Sequence, residues 1–253
     1  MKKIFLGFLL CSLILFNGMI FSVTASNLKI MTENFAPLNY EKDGKLQGIA
    51  VDLIGLMLKE MNSKLTVKDI QVLPWARGYK IALNEKNTCL FSTTRTKARE
   101  NLFKWVGPIY QIKEGILAKK ERNIKIKELK DILKYKTGTI IEDVGEQLLT
   151  ENGIPLKSLE RVGGTGAVDN SLKKLAAGRI DLFTYDELGS KWEMKILNIK
   201  PNDYEMVYIL STADLYYAFN KNTPDSIIKE FQNALDKLKK DGSYQKIVDK
   251  YLK

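Results

Sequence analysis

Hydroxyl and guanidinium groups follow a short apolar segment in FSTTRTKAREN, residues 91–101. The guanidinium of Arg99 is planar, so it can grip a carboxylate through two parallel N–H donors. Thr94 and Thr96 supply hydroxyl and backbone N–H groups that suit the same anion. In the alternative interpretation, Arg99 pairs with an acid on the surface and the threonines cap a turn. The residue types alone leave both interpretations open.

Predicted strands and helices alternate around this cluster. LKIMT has the pattern of a short strand, and QGIAVDLIGLMLKEMN has that of an amphipathic helix. KLTVKDIQVL then reads as a strand, ARGYKIALNE as a helix and TCLFST as a buried strand. This order predicts a parallel sheet covered by helices. Ligands bind beyond the carboxyl ends of such strands, which is where the hydroxyl-rich stretch falls.

A second α/β unit is predicted from about residue 120 to 212. Its expected elements are the helix IKELKDIL, the strand KTGTII, the helix VGEQLLTENG, the strand SLERV, the helix GAVDNSLKKLAAG and the strand RIDLFTYD. The extended segments GILAKK (115–120) and DLYYAFNK (214–221) are candidate strands that join the two units. The tail predicts two amphipathic helices that return to the first unit.

Composition narrows the classes of function. The sequence contains no histidine, which removes the general base of Ser-His-Asp and Cys-His catalysis. The formal net charge is +10, but the lysines are spread among acidic residues, as on a solvated helix face. The charge is therefore interpreted as a surface property. No basic surface interleaved with aromatic residues is apparent, so we expect no nucleic-acid partner. We also expect no cofactor and no metal.

Residues 1–25 have the pattern of a signal peptide. Two lysines precede an apolar run at 4–16, and a small-residue V-x-A pattern ends at Ala25. Cleavage after Ala25 is expected, with a retained membrane anchor as the alternative. Lipidation of Cys11 is disfavoured because a large leucine precedes it. Cleavage would leave a single cysteine and hence no disulfide within the chain. We expect a water-soluble periplasmic protein.

Five segments together resemble the extracytoplasmic solute-binding proteins of amino-acid ABC transporters, family 3. LKIMTENFAPLNY resembles the family's first strand and aromatic-Ala-Pro loop, and GKLQGIAVDLIGLMLKEMN resembles its G-x-x-x-G-[FI]-x-x-D-L helix. TTRTKARENLFKWVGPIY is similar to its T-x-x-R stretch, and LAAGRIDLFTYD to its second-lobe strand that ends in an acid. DGSYQKIVDKYL is similar to its C-terminal signature. These segments span nearly all of the chain after the signal peptide.

The resemblance implies a type II periplasmic-binding fold with two lobes. Each lobe would be a mainly parallel sheet flanked by helices, and two hinge strands would join them. Residues 26–117 and 215–253 would form lobe 1, and residues 118–214 would form lobe 2. The implied function is capture of a small polar solute, an amino acid or related zwitterion, for the membrane permease of an ABC transporter. A monomer without enzyme activity is expected.

The resemblance also implies roles for individual residues. Thr96-x-x-Arg99 matches the family's carboxylate-binding stretch, so Arg99, helped by Thr94, would hold an α-carboxylate. Asp186 matches the acid that accepts from an α-ammonium, and Phe35 matches an aromatic residue that packs on the ligand. A zwitterion needs an opposite charge at each end to offset its desolvation. Arg99 and Asp186 are therefore expected on opposite lobes.

The chain departs from the family pattern in both lobes. LPWARGY brings Trp75 and Arg77 where many members have a smaller apolar stretch, and Arg95 is an added arginine. GTIIEDVGEQL places Glu142 and Asp143 where the family commonly has a Gly-[ST]-[ST] loop, and an extra acid favours a cationic ligand. Trp75, Arg77, Arg95 and Asp143 are therefore further candidate ligand-binding residues. They could instead be a core aromatic, surface arginines and a helix N-cap.

Two other functions are compatible with the same fold. A cyclohexadienyl-dehydratase-like enzyme would need an acid as its base, and Glu142 or Asp143 is the candidate because histidine is absent. A ligand-sensing partner of a membrane receptor is the other alternative. The sequence leaves the identity of the ligand open.

Overall fold

The computed structural model describes residues 28–252. The predicted signal peptide, residues 1–25, lies outside them. None of the helices between residues 28 and 252 is both long and apolar enough to span a bilayer. The strands are β1 (Lys29–Thr32), β2 (Tyr40–Lys42), β3 (Lys45–Gln47), β4 (Gln71–Val72), β5 (Thr88–Thr94), β6 (Phe103–Lys119), β7 (Thr137–Ile140), β8 (Leu159–Val162), β9 (Leu182–Asp186) and β10 (Tyr204–Asn220). The helices are α1 (Ile49–Glu60), α2 (Trp75–Asn84), α3 (Val144–Glu151), α4 (Ala167–Ala176), α5 (Glu187–Ile196), α6 (Asp225–Lys240) and α7 (Ser243–Leu252).

One sheet runs through both halves of the fold, in the order β4-β1-β5-β10-β6-β9-β7-β8. Strand β1 pairs parallel with β4 and β5, and β7 pairs parallel with β8 and β9. The strands β6 and β10 pair antiparallel with each other and with their outer neighbours. We refer to the half with β1, β4 and β5 as the first lobe and to the half with β7, β8 and β9 as the second. The predicted α/β fold with two parallel-stranded lobes is confirmed.

The two central strands connect the lobes. Strands β6 and β10 have 17 residues each and pair from Tyr204 opposite Lys119 to Asn220 opposite Phe103. Strand β5 pairs with residues 215–219 of β10, and β9 pairs with residues 114–118 of β6. These two segments lie at opposite ends of the β6–β10 pair. The candidate joining segments at 115–120 and 214–221 thus overlap the ends of longer strands. The lobe boundaries at 117/118 and 214/215 stay predictions.

The helix α1 packs its apolar face into the first lobe, where Ile49, Leu53 and Met57 are fully buried. The tail forms the two predicted helices, and both pack on α1. A hydrogen bond anchors the second of them, because the N–H of Gly48 donates to the Tyr251 hydroxyl at 3.1 Å.

Some local predictions were wrong. KLTVKDIQVL contains only the two-residue strand β4, preceded by a 3-10 turn at Val67–Asp69. This turn forms because Thr66 and Asp69 cap each other's backbone N–H groups. The predicted helix IKELKDIL is also a 3-10 segment, Leu129–Lys134, with a similar capping box. The hairpin β2–β3 and the helix α5 were not predicted.

Candidate ligand-binding site

A small cavity lies between the lobes at the carboxyl ends of strands. Its volume of about 10 Å³ takes about one water-sized group. We call it the inner cavity. Four carboxylates, one guanidinium and three aromatic side chains are the charged and aromatic groups in its wall: Glu33, Glu114, Asp143, Asp186, Arg99, Phe35, Trp75 and Tyr185.

Arg99 is fully buried, and its side chain donates hydrogen bonds to both lobes. Its Nε donates to Gln147 Oε1 at 2.9 Å, and its Nη2 donates to the carbonyl oxygen of Glu142 at 3.3 Å. Its Nη1 donates to the carbonyl oxygen of Thr94 at 3.4 Å. Burial lowers its pKa, but a guanidinium remains charged. The structure therefore rules out the alternative of a surface ion pair for Arg99.

Two aromatic rings, which stack on each other, lie beside the Arg99 guanidinium. Its central carbon lies 5.2 Å from the ring centre of Trp75 and 5.0 Å from that of Tyr79, within cation–π range. The indole Nε1 of Trp75 also donates to the carbonyl oxygen of Glu142 at 2.7 Å. Trp75 is thus a buried wall of the cavity and a direct contact between the lobes.

Asp186 ends β9 and caps helix α5. Its Oδ1 accepts from the N–H of Gly189 at 2.8 Å. Its Oδ2 is buried and has no hydrogen-bond partner within the described residues. Burial raises the pKa of Asp186 to about 7, although the hydrogen bond from Gly189 opposes the shift. This oxygen can therefore accept a hydrogen bond from a donor that enters the cavity.

Asp143 also lines the inner cavity while it caps a helix. Its Oδ1 accepts from the N–H of Val144 at 2.7 Å, at the start of α3. Burial raises its pKa, and the charge of Arg99 opposes this. The two interpretations of Asp143, as a helix cap and as a cavity residue, are both observed.

The sequence analysis missed two acids of the inner cavity, Glu33 and Glu114. Glu33 directly follows β1, and its position beyond a parallel strand was a usable signal. Glu114 lies in β6, directly opposite Asp186 in β9. No local signal identified Glu114, because its position depends on how β6 pairs with a distant strand.

Phe35 and Thr94 lie in the cavity wall, as the resemblance implies. The ring of Phe35 contacts that of Tyr185, with 5.7 Å between their centres, and so packs across the interface of the lobes. Thr94 ends β5 and is buried.

A larger cavity of about 400 Å³ adjoins the inner one and shares Glu33 and Trp75 with it. We call it the outer cavity. Asp169 and Glu193 line it from the second lobe, beside the glycine-rich loop at 163–166. Burial, followed by repulsion from Asp169, raises the pKa of Glu193 to about 7. The loop, predicted only as a turn into a helix, thus borders the cleft.

Three candidate residues do not contact the space between the lobes. Arg95 is exposed, its Nε donates to Glu100 at 2.7 Å, and it lines neither the inner nor the outer cavity. Arg77 is exposed on α2 and lines neither the inner nor the outer cavity. The Thr96 hydroxyl accepts from the N–H of Arg99 at 3.3 Å and so caps the local turn. The placement does not support Arg77, Arg95 or Thr96 as ligand contacts.

A two-lobed α/β fold with a charged cavity between its lobes is the architecture of a periplasmic-binding-type protein. The chain belongs to the bacterial extracellular solute-binding proteins, family 3, whose sequence pattern it matches over residues 28–253. This match confirms the resemblance found in the sequence.

Individual proteins agree with this assignment. A probable amino-acid-binding protein of Bacillus subtilis (strain 168), YxeM, is 25% identical over 218 residues, which are 85% of this chain and 79% of that protein. The crystal structure of a histidine kinase sensor domain with similarity to periplasmic binding proteins has a TM-score of 0.77 at 17% identity, covering 90% of this chain and 97% of that one. An ABC uptake transporter substrate-binding protein from Streptococcus pneumoniae, with bound histidine, has a TM-score of 0.75 at 18% identity, covering 90% and 94%. At these identities the two structures show the fold alone.

Proposed function

We propose that this protein captures an amino acid or a closely related zwitterion in the periplasm and delivers it to the membrane permease of an ABC transporter. One observation carries the proposal: Arg99 and Asp186, from different lobes, line the same buried cavity. The Bacillus subtilis relative is named as amino-acid-binding, and the Streptococcus pneumoniae protein holds histidine, which supports this class of ligand.

The charges of the cavity suit a zwitterion. A guanidinium has five N–H donors, and three of the Arg99 nitrogens each make one hydrogen bond within the protein. The remaining donors would hold the α-carboxylate, while the free Oδ2 of Asp186 would accept from the α-ammonium. Phe35 would pack on the ligand. A ligand that bridges the lobes stabilises the closed form by its greater affinity for that form.

We propose a binding protein rather than an enzyme. The side chain of Glu142 lines neither the inner nor the outer cavity, and its carbonyl oxygen is bonded to Trp75 and Arg99. Asp143 already accepts a backbone hydrogen bond as a helix cap. This arrangement does not favour either residue as the base of a dehydratase. Delivery to a permease rather than to a receptor is proposed because the Streptococcus pneumoniae protein serves an ABC uptake transporter.

A thermal-shift and calorimetric screen of the L-amino acids tests the proposal. Ligand at one hundred times its Kd adds about 2.7 kcal/mol of stability, which raises the Tm by about 5 to 10 °C. Arg99→Lys should weaken binding about tenfold or more, because lysine lacks the planar pair of donors. Arg95→Lys, in the same segment but outside the cavity, is the matched control and should bind normally. A screen without any shift or heat would refute the proposal, as would equal losses in the two variants.

A further inference from the structure

The inner cavity holds more negative charge than a zwitterion requires. Four carboxylates line it, and the function proposed above uses only Asp186 among them to bind the ligand. The surplus does not follow from composition, because the whole chain has a formal net charge of +10. The acidic side chains are therefore clustered at the inner cavity of a protein that is basic as a whole.

Two of these carboxylates face each other without a counter-ion. Glu114 and Asp186 are directly opposite on the antiparallel strands β6 and β9. Both side chains are buried, with residue exposures of 2% and 1%, and Glu114 Oε1 and Asp186 Oδ2 have no hydrogen-bond partner in the described part of the chain. Like charges in this arrangement destabilise a sheet, and buried charges without partners cost more. A cationic group between them would relieve both costs.

The charge of Arg99 lowers the pKa of Glu33, Glu114 and Asp143, but burial outweighs this effect in all three. No ion pair between residues 28 and 252 joins Arg99 to a carboxylate. Its three hydrogen bonds go to two backbone oxygens and one amide oxygen. Burial raises the pKa of Glu33 and of Glu114 well above the usual range, and Asp143 raises both further. Both carboxyls therefore favour the protonated form more than exposed carboxyls do, and a cation that entered the cavity would oppose this shift.

The shape of the two cavities indicates how a ligand would lie. The inner cavity has room for about one water-sized group, such as a primary ammonium. Glu33 stands where the inner cavity meets the outer one of about 400 Å³. The aromatic side chains of Phe35, Trp75 and Tyr185 form apolar walls that suit a methylene chain. A second cationic group, a short chain away from the first, would reach Glu33.

We propose that the ligand carries two cationic groups joined by a short methylene chain, one held by Glu114 with Asp186 and the other by Glu33. This inference rests on the proposed function for the location of the ligand and adds the chemical class. The class includes diamino acids, whose carboxylate Arg99 would bind, and diamines, which have no carboxylate.

Calorimetry with four probes tests this class: L-lysine, L-arginine, cadaverine and L-norleucine. Norleucine matches lysine except that it lacks the distal amine, and cadaverine lacks the carboxylate. L-lysine, L-arginine and cadaverine each carry two cationic groups. We expect the tightest-binding of these three to bind at least about thirtyfold more tightly than norleucine, which is the size of effect that a buried charge pair gives. Lysine tighter than cadaverine would identify a diamino acid, and the reverse a diamine. Either result supports the inference.

A variant pair gives a second readout. Glu114→Gln should weaken binding of the best of these probes about thirtyfold, whereas Glu160→Gln, exposed on β8 and outside both cavities, should not. Binding should also release protons at pH 7, measured from the heats in phosphate and Tris buffers, and Glu114→Gln should release fewer. The titratable and charged groups that face Asp186 are Glu33, Glu114, Asp143, Tyr185 and Arg99. Only the carboxyls share in this release, because the guanidinium stays charged and burial raises the pKa of Tyr185 well above its usual value.

The outcomes separate this inference from the proposed function. If norleucine binds as tightly as the dications, or if Glu114→Gln binds normally, the dication inference is refuted while amino-acid binding stands. If every L-amino acid and cadaverine fail to bind, both proposals are refuted. If cadaverine alone binds, the inference holds and the proposed amino-acid function fails.

Discussion

Replacing Asp186 with asparagine should stabilise the unliganded protein at alkaline pH. The native carboxylate is buried, with one oxygen lacking a partner in the described residues, and burial raises its pKa from 3.8 to about 7. The folded protein thus binds this proton more tightly than the unfolded chain does. The contribution of this carboxyl to stability is fully present below pH 3.8 and is lost as the pH rises through about 7. Asparagine has no charge to bury and can still cap α5.

The size of the effect follows from the shift. A pKa raised from 3.8 to about 7 corresponds to about 4 kcal/mol of stability lost above pH 7. Part of that loss has already occurred at pH 5. The gain in unfolding free energy from Asp186→Asn should therefore be larger at pH 8 than at pH 5 by about 3 kcal/mol.

Urea unfolding of the unliganded protein at pH 5 and pH 8 measures this difference. Asp131→Asn is the control of opposite sign. Hydrogen bonds, first from the Lys134 side chain and then from backbone N–H groups, lower the pKa of Asp131 to about 2. This variant should lose stability at pH 8, and the loss should vanish as pH falls through about 2. A gain for Asp186→Asn that is equal at both pH values, or a loss at pH 8, would refute the account of its buried charge.

Two further predictions concern packing. Trp75→Phe removes the hydrogen bond from the indole to the Glu142 carbonyl oxygen. Because that oxygen still accepts a hydrogen bond from Arg99, the contact between the lobes should weaken by only about 1 kcal/mol. Hydrogen exchange of the backbone amides at 141–147 should then become about fivefold faster. The control Trp105→Phe removes a hydrogen bond to the Glu100 carbonyl oxygen within one lobe, so it should leave this exchange unchanged. Equal exchange rates in the two variants would contradict the prediction. Gly48→Ala should cost about 2 to 5 kcal/mol in urea unfolding, because φ is +130° and the added Cβ would lie 2.3 Å from the Leu38 carbonyl oxygen. Gly44→Ala, with φ of +69° and no atom within 4 Å of the added Cβ, should cost only about 1 kcal/mol, and similar costs for both would show that the close contact is unimportant.

The residues predicted for the site came from chain-local signals and from the resemblance to a family. Arg99 was predicted from its position after a buried strand and from the family resemblance, whereas Asp186 was predicted from the resemblance. The structure brings both to the inner cavity, and their roles toward a ligand stay predictions. Arg95 had nearly the same sequence context as Arg99. The Arg95 side chain instead pairs with Glu100 and lies over the rings of Trp105 and Tyr216, contacts that depend on how the chain folds.

The sequence by itself determined the alternation of strands and helices, the family and the segment that carries the buried arginine. These features rest on periodicity and on residue types within short windows, where local preference and burial act together. The tertiary structure alone decided that four carboxylates share one cavity. Glu33, Glu114, Asp143 and Asp186 come from four separate segments, and what they face depends on strand register and on the packing of the lobes. The pairing of β6 with the distant β9 leaves no pattern in the residues next to Glu114, so its place in the cavity emerges only when the chain has folded.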